Sequence, residues 1–357
     1  LSLVIARGQS DVGTYGHRFA EPGTGVLKGY GAMNSTTLAI AISLQLAREA
    51  GIREPDIDRA IARSKRLYEF YIGAGAIPYG DHAPWTEHGA NGKSSMAAVL
   101  FDLYGNAKGA RFFSRTSAAA YMERDMGHTG NYFHYLWSMP AVSRCGPSMT
   151  GAYFKEMRWH YDLARAWDGE IQYPGAPGTK GRVGHKCGGW DSTGGYMLAY
   201  ALPLRSLYIT GKRRSVAGQL SARQVAETIE AGRDFKIRDR AGSYDERSTD
   251  RLLSDLRSWF PAVRTRAAHA LAKRETDVVP RIREMLSSSD VNARMGACEL
   301  LEYIGPRGAA AAGDVAGLTG RGELWPRIRA VKALGAMGAD VAGPYVNEVL
   351  RHSLRDD

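Results

Sequence analysis

Asn131, Tyr132, His134 and Tyr135 form the densest group of proton-handling side chains in the sequence. On a helix, Asn131 with His134 and Asn131 with Tyr135 are spaced i,i+3 and i,i+4, so these three share a face. Asn, His and Tyr are the residue types a uronate β-elimination needs. An amide neutralises the uronate carboxylate and makes the C5 proton acidic, a His or Tyr removes that proton, and a Tyr protonates the leaving oxygen. His128, His82 and Asp81 stand as supporting groups. The competing reading is packing, with His134 and Tyr135 as inner-helix residues whose polar ends are satisfied.

Seven of the nine histidines fall between His17 and His185, most of them in glycine-rich segments that precede apolar helices. A pocket where a few polar groups converge among aromatics is the default site hypothesis. Tyr30, Trp85, Tyr132, Trp137 and Trp190, with Asn91, are the candidate substrate-binding residues. Hydrolysis is the neighbouring chemistry and needs two carboxylates, about 5–5.5 Å apart for retention or about 6.5–9.5 Å for inversion. Asp81, Glu87, Asp191 and Glu21 are the candidates, although Asp191 equally fits the N-cap of the helix it precedes. His185 and Cys187, with His128 or Asp81, are conceivable zinc ligands, but their spacing matches no zinc motif, and neither a metal nor another cofactor is expected. No P-loop, dinucleotide-binding fingerprint or nucleophile elbow is present.

The elements that must position these residues are helical. The 357 residues are 44% apolar and 24% charged, which excludes disorder as the main state. No apolar run approaches the ~18 residues of a membrane span. The net charge of +10 favours acidic partners. The arginines are nevertheless scattered, and no zinc finger or RNA-binding signature appears, so nucleic acid is not an expected partner. Three cysteines, Cys145, Cys187 and Cys298, make no disulfide framework. The chain begins Leu1-Ser2-Leu3 without an initiator Met and reads as a piece of a longer precursor. Its compartment is left open, with the extracytoplasmic side favoured.

Helices are expected at about 34–50, 55–71, 92–104, 107–126, 131–140, 147–167 and 192–202, punctuated by Gly51, Gly73, Gly105, Pro55 and Pro147. The glycine-rich segments at 29–34, 87–92, 127–131 and 184–190 each lead into an apolar helix, and after most of these a more amphipathic helix follows. That alternation suits a ring of helical hairpins whose lead-ins gather at one mouth. From Ser248 another repeat begins: Val263-Arg264-Thr265-Arg266-Ala267-Ala268 recurs loosely from Ala293-Arg294 and again from Pro326-Arg327. The arginines lie 30 and 33 residues apart (264 to 294, then 294 to 327).

The first pattern resembles the α/α-toroid class, which includes terpene cyclases, prenyltransferase subunits and many glycoside hydrolases and polysaccharide lyases. Lyases of that class work by the elimination outlined above. The second pattern resembles HEAT repeats, which usually bind or brace and rarely catalyse. The two in series resemble a bacterial family of large proteins of unknown activity. Tyr15-Gly16-His17-Arg18-Phe19-Ala20-Glu21-Pro22-Gly23, Ile77-Pro78-Tyr79-Gly80-Asp81-His82 and Gly127-His128-Thr129-Gly130-Asn131-Tyr132-Phe133-His134 carry that resemblance, together with Phe154-Lys155-Glu156-Met157-Arg158-Trp159 and Trp167-Asp168-Gly169.

The expectation is therefore an all-α protein: an α/α-toroid-like domain over 1–212, a helical linker over 213–247 and a HEAT-type α-solenoid over 248–357. The first functional expectation is a carbohydrate-active enzyme on a polymeric, acidic glycan, by β-elimination or hydrolysis at the toroid mouth. The alternative is a non-catalytic scaffold that holds a protein partner through the HEAT repeats.

Overall fold

Proline opens several helices and glycine follows the ends of others, as the sequence predicts. The computed structural model describes residues 1–86, 92–123, 130–171, 193–233 and 242–353. Among these the regular elements are all helical, and extended pairing is limited to isolated bridges, Ala76 with Trp85 and Arg165 with Ile171. The protein is all-α. The chain divides into two compact units, Leu1–Phe235 and Lys236–Asp357.

In the first unit the helices are α1 (Ser2–Arg7), α2 (Asn34–Glu49), α3 (Pro55–Glu69), α4 (Lys93–Leu103), α5 (Ala107–Ala119), α6 (Gly130–Ser143), α7 (Pro147–Ala164), α8 (Thr193–Tyr200) and α9 (Ala222–Arg233). α4 is buried all round, with all its residues but Asp102 inside, as a helix at the centre of a domain must be. It packs against α2, α5 and α6, and α6 in turn packs against α8. The more amphipathic α3, α5 and α7 each lie beside the helix before them. α3 shows why: it buries Ile57, Ala60, Ile61, Ser64 and Tyr68, one stripe at helical spacing.

The α4–α5 joint is built from two residues. Gly105 takes φ 74, open to glycine at little cost, and Asn106 Oδ1 then accepts from Gly109 N at 2.9 Å to cap α5. Phe101 and Phe113 stack across the joint, with centroids 5.6 Å apart. Pro140 does not end α6, which continues through it to Ser143.

Residues 213–233, expected to begin a linker, instead complete the first unit. Asp102 Oδ1 accepts from Ser215 Oγ and Val216 N at 2.7 and 2.8 Å, and Asp102 also pairs with the buried Arg144 at 3.0 Å. α9 packs on α5 and α7. Its Gly232 approaches so closely that a Cβ there would stand 2.0 Å from Ala119 O. A linker has no such fit, and composition alone does not reveal it.

The second unit comprises α10 (Thr249–Asp255), α11 (Pro261–Ala272), α12 (Val279–Leu286), α13 (Val291–Ile304), α14 (Ala312–Leu318), α15 (Leu324–Ala336), α16 (Ala339–Ala342) and α17 (Val346–Ser353). α11 packs on α13 and α13 on α15, while the shorter α12 and α14 flank α13 and α15. Buried alanines such as Ala267, Ala268, Ala297, Ala330 and Ala333 allow this close stacking. The repeated arginines do the same work three times. Arg264 Nη1 donates to Ser258 O at 2.8 Å, Arg294 Nη1 to Ser288 O at 2.7 Å and Arg327 Nε to Thr319 O at 2.7 Å. Each ties the first turn of its helix to the carbonyl end of the preceding segment.

Candidate functional site

Two loops of the first unit, 8–33 and 70–86, are drawn together by the start of α2. Met33 N donates to Tyr15 O at 2.9 Å, and Asn34 N donates to Tyr79 O at 2.8 Å. The Asn34 amide then spends both hydrogens on the second loop, on Pro78 O at 3.0 Å and Gly80 O at 2.8 Å, while its Oδ1 accepts from Tyr68 OH at 3.1 Å. Asn34 is thus a clamp, satisfied on every side. Trp85 is held by reciprocal backbone bonds with Ala76, at 2.8 and 3.0 Å.

Beneath these rings lies Lys93, the first residue of α4. It is 0% exposed. Its Nζ stands 5.8 Å from the Tyr79 ring centroid and 5.5 Å from that of Trp85, within reach of both π faces. The rings favour the ammonium and burial opposes it. Burial wins, and the amine is brought from its ordinary 10.5 down to about 7. A lysine so placed exchanges its proton near neutral pH. Tyr79, by contrast, is raised by burial and then by neighbouring Tyr30, so it keeps its proton. Tyr79 meets Tyr30 edge-on at 5.6 Å, and Tyr30 meets His17 edge-on at 6.2 Å. Tyr30 is 62% exposed, and Asp81 and His82, next on the Tyr79 loop, are exposed as well.

The structure therefore gathers Tyr30 and the Asp81, His82 and Trp85 loop around Tyr79, with Lys93 below. His134 and Tyr135 lie elsewhere, in a buried aromatic group. They are 1% and 6% exposed, so neither ring presents appreciable surface to solvent. His134 Nε2 and Tyr153 OH are 3.0 Å apart, and Tyr135 stacks between His160 at 5.0 Å and Tyr196 at 5.6 Å. This is the packing arrangement, produced where the apolar faces of α6, α7 and α8 meet. Trp137 is partly buried against the same core. Asn131 and Tyr132 fall in the first turn of α6, but their side chains lie outside the described residues, as do His88, Asn91, His128, His185, Cys187, Trp190 and Asp191.

Sequence reasoning passed over Lys93, though a signal was present. A cation in the first turn of a helix opposes the macrodipole, and this one opens the apolar run Met96-Ala97-Ala98-Val99-Leu100-Phe101. Among the described residues no group of three or more His, Cys, Asp or Glu is placed to hold a metal ion. No described helix is long and apolar enough to cross a membrane.

Fold and site define an all-α protein of paired helices with a buried lysine under an aromatic loop cluster. Residues 1–211 match the family described as a domain of unknown function, DUF6288, and the chain belongs to that family. No match is found among curated proteins or among solved structures.

Proposed function

We propose that the protein is a carbohydrate-active enzyme that cleaves a polymeric, acidic glycan by β-elimination at the loop cluster over Lys93. The observation that carries this reading is a buried lysine amine, poised near neutrality, behind a partly exposed shelf of Tyr79 and Trp85 that continues into Tyr30. Aromatic faces stack on the C–H faces of sugars, and the basic chain attracts polyuronate. His82 takes the C5 proton, the electron pair forms the C4–C5 double bond, the C4–O bond breaks, and Tyr79 returns a proton to the leaving oxygen. Lys93 acts through Tyr79 and Trp85 as a positioning residue, its charge offsetting the anion that develops at the uronate. Asn131 keeps the role proposed from sequence, an amide against the uronate carboxylate, and Asn91 that of a substrate-binding residue.

In the same reading the α2–α9 pairs are part of an α/α-toroid, the arginine-anchored pairs of the second unit are HEAT-type repeats, and the chain is of bacterial origin. The serial packing of α2, α4, α6 and α8 and the threefold arginine contact support the two architectural proposals.

The test is a panel of uronate polymers followed by the absorbance of unsaturated uronate. Turnover should fall about 100-fold or more in Tyr79→Phe and in His82→Ala, in line with the loss of a general acid or base. Lys93→Met should shift the pH profile as well as the rate. Reducing ends without the absorbance would favour hydrolysis through Asp81. No product from any polymer would end the enzymatic reading and leave a protein-binding scaffold.

A further inference from the structure

We propose that a cavity of about 750 Å³, far along the chain from the Lys93 loops, binds an anionic amphiphile: an apolar body carrying a carboxylate or phosphate head. The cavity gathers the C-terminal end of α6, the start of α7 and residues 199–219, and its size is that of a small-molecule site. Met139, Phe154 and Leu202 give it an apolar floor. Its rim carries Arg205, Lys212 and Arg214, and no carboxylate appears in the lining.

The neighbouring cations are already engaged. Arg144 is held by Asp102 at 3.0 Å and by the carbonyls of Tyr208 and Ile209, and Arg213 reaches Glu49 at 3.2 Å. Among the described residues no carboxylate pairs with Arg205, Lys212 or Arg214. Three like charges around an apolar hollow repel one another and attract an anion whose tail the floor can cover. The wall is also kept low. Gly151 stands in the first half of α7, where glycine costs helix stability, and nothing lies within 4 Å of the place a Cβ would take. Packing does not demand a glycine there, and Gly151 lines the cavity, so a longer side chain at this position would enter it.

The test is calorimetric titration of the full chain with decyl phosphate and with decanoate, each below its micellar concentration. Inorganic phosphate, decanol and decyltrimethylammonium serve as head-only, tail-only and opposite-charge probes. One-to-one binding of either anion is expected, about tenfold or more tighter than any of the three controls. The Lys212→Met, Arg214→Met double variant should weaken it by about tenfold. Gly151→Leu, which retains every cation and favours the helix, should abolish it, with the circular dichroism spectrum unchanged. Equal binding of decanol or of the ammonium probe would overturn the proposal. So would full binding by Gly151→Leu, or the absence of binding by both anions.

Discussion

Two fully buried cations, one in each unit, show different contacts. Arg264 of the second unit meets a carboxylate, Glu299, at 3.5 Å, and Glu299 is shared with Arg329 at 3.8 Å. Its guanidinium also donates to Ser258 O. Lys93 of the first unit stands near the rings of Tyr79 and Trp85. Burial opposes the charge in both cases. At Arg264 the second largest influence is the opposing charge of Glu299, whereas at Lys93 burial carries the amine down to about 7. A buried cation matched by a carboxylate is a brace; one brought to the edge of neutrality by its surroundings is a titratable group.

The sharpest way to break this comparison is to remove the brace. Glu299→Ala should destabilise the chain by about 3–5 kcal/mol in urea unfolding, because it strands buried guanidinium charge. Asp102, the partner of buried Arg144 inside the first unit, tests whether pairing rather than location decides. Asp102→Ala should cost about 3 kcal/mol and expose the 213–217 segment to proteolysis, since Ser215 and Val216 lose their acceptor.

Lys93→Met should act in the other direction. With the folded amine near 7 and the unfolded one at 10.5, the unfolded chain binds more protons between those values, so this group makes stability rise with pH across that window. Its penalty is complete below about 7 and gone above 10.5. The Met variant should therefore gain about 1–4 kcal/mol at neutral pH and lose that part of the pH slope. A loss of stability with the slope intact would make Lys93 a brace like Arg264. The smallest effect is expected from Asn106→Ala, which removes the α5 cap and an exposed bond from Asn106 Nδ2 to Glu69 Oε1 and should cost about 1 kcal/mol in unfolding free energy.

Much of the fold was legible because its punctuation is local. Pro55 and Pro147 open α3 and α7, Gly51 and Gly105 close the helices before them, and the arginines at 264, 294 and 327 mark a repeat whose contacts recur. Of the candidate residues, only the meeting of some of their segments was legible. Tyr30, Asp81, His82 and Trp85 were chosen because they sit in polar, aromatic segments, and those segments do meet. His134 and Tyr135 were chosen for spacing, but spacing on one helix says nothing of what the other helices lay over that face.

Composition and helical period alone determined that the chain is all-α, where several of its helices open, and that arginines recur along its C-terminal part, although α5, expected to reach 126, ends at Ala119; what they determined follows from interactions within a few residues. Tertiary structure alone decided that Lys93 is buried, that α9 closes onto Ala119, and that the His134 ring faces Tyr153. Each of these depends on which distant surfaces exclude water from a given group, and burial, unlike a cap or a turn, is not a property of neighbours in sequence.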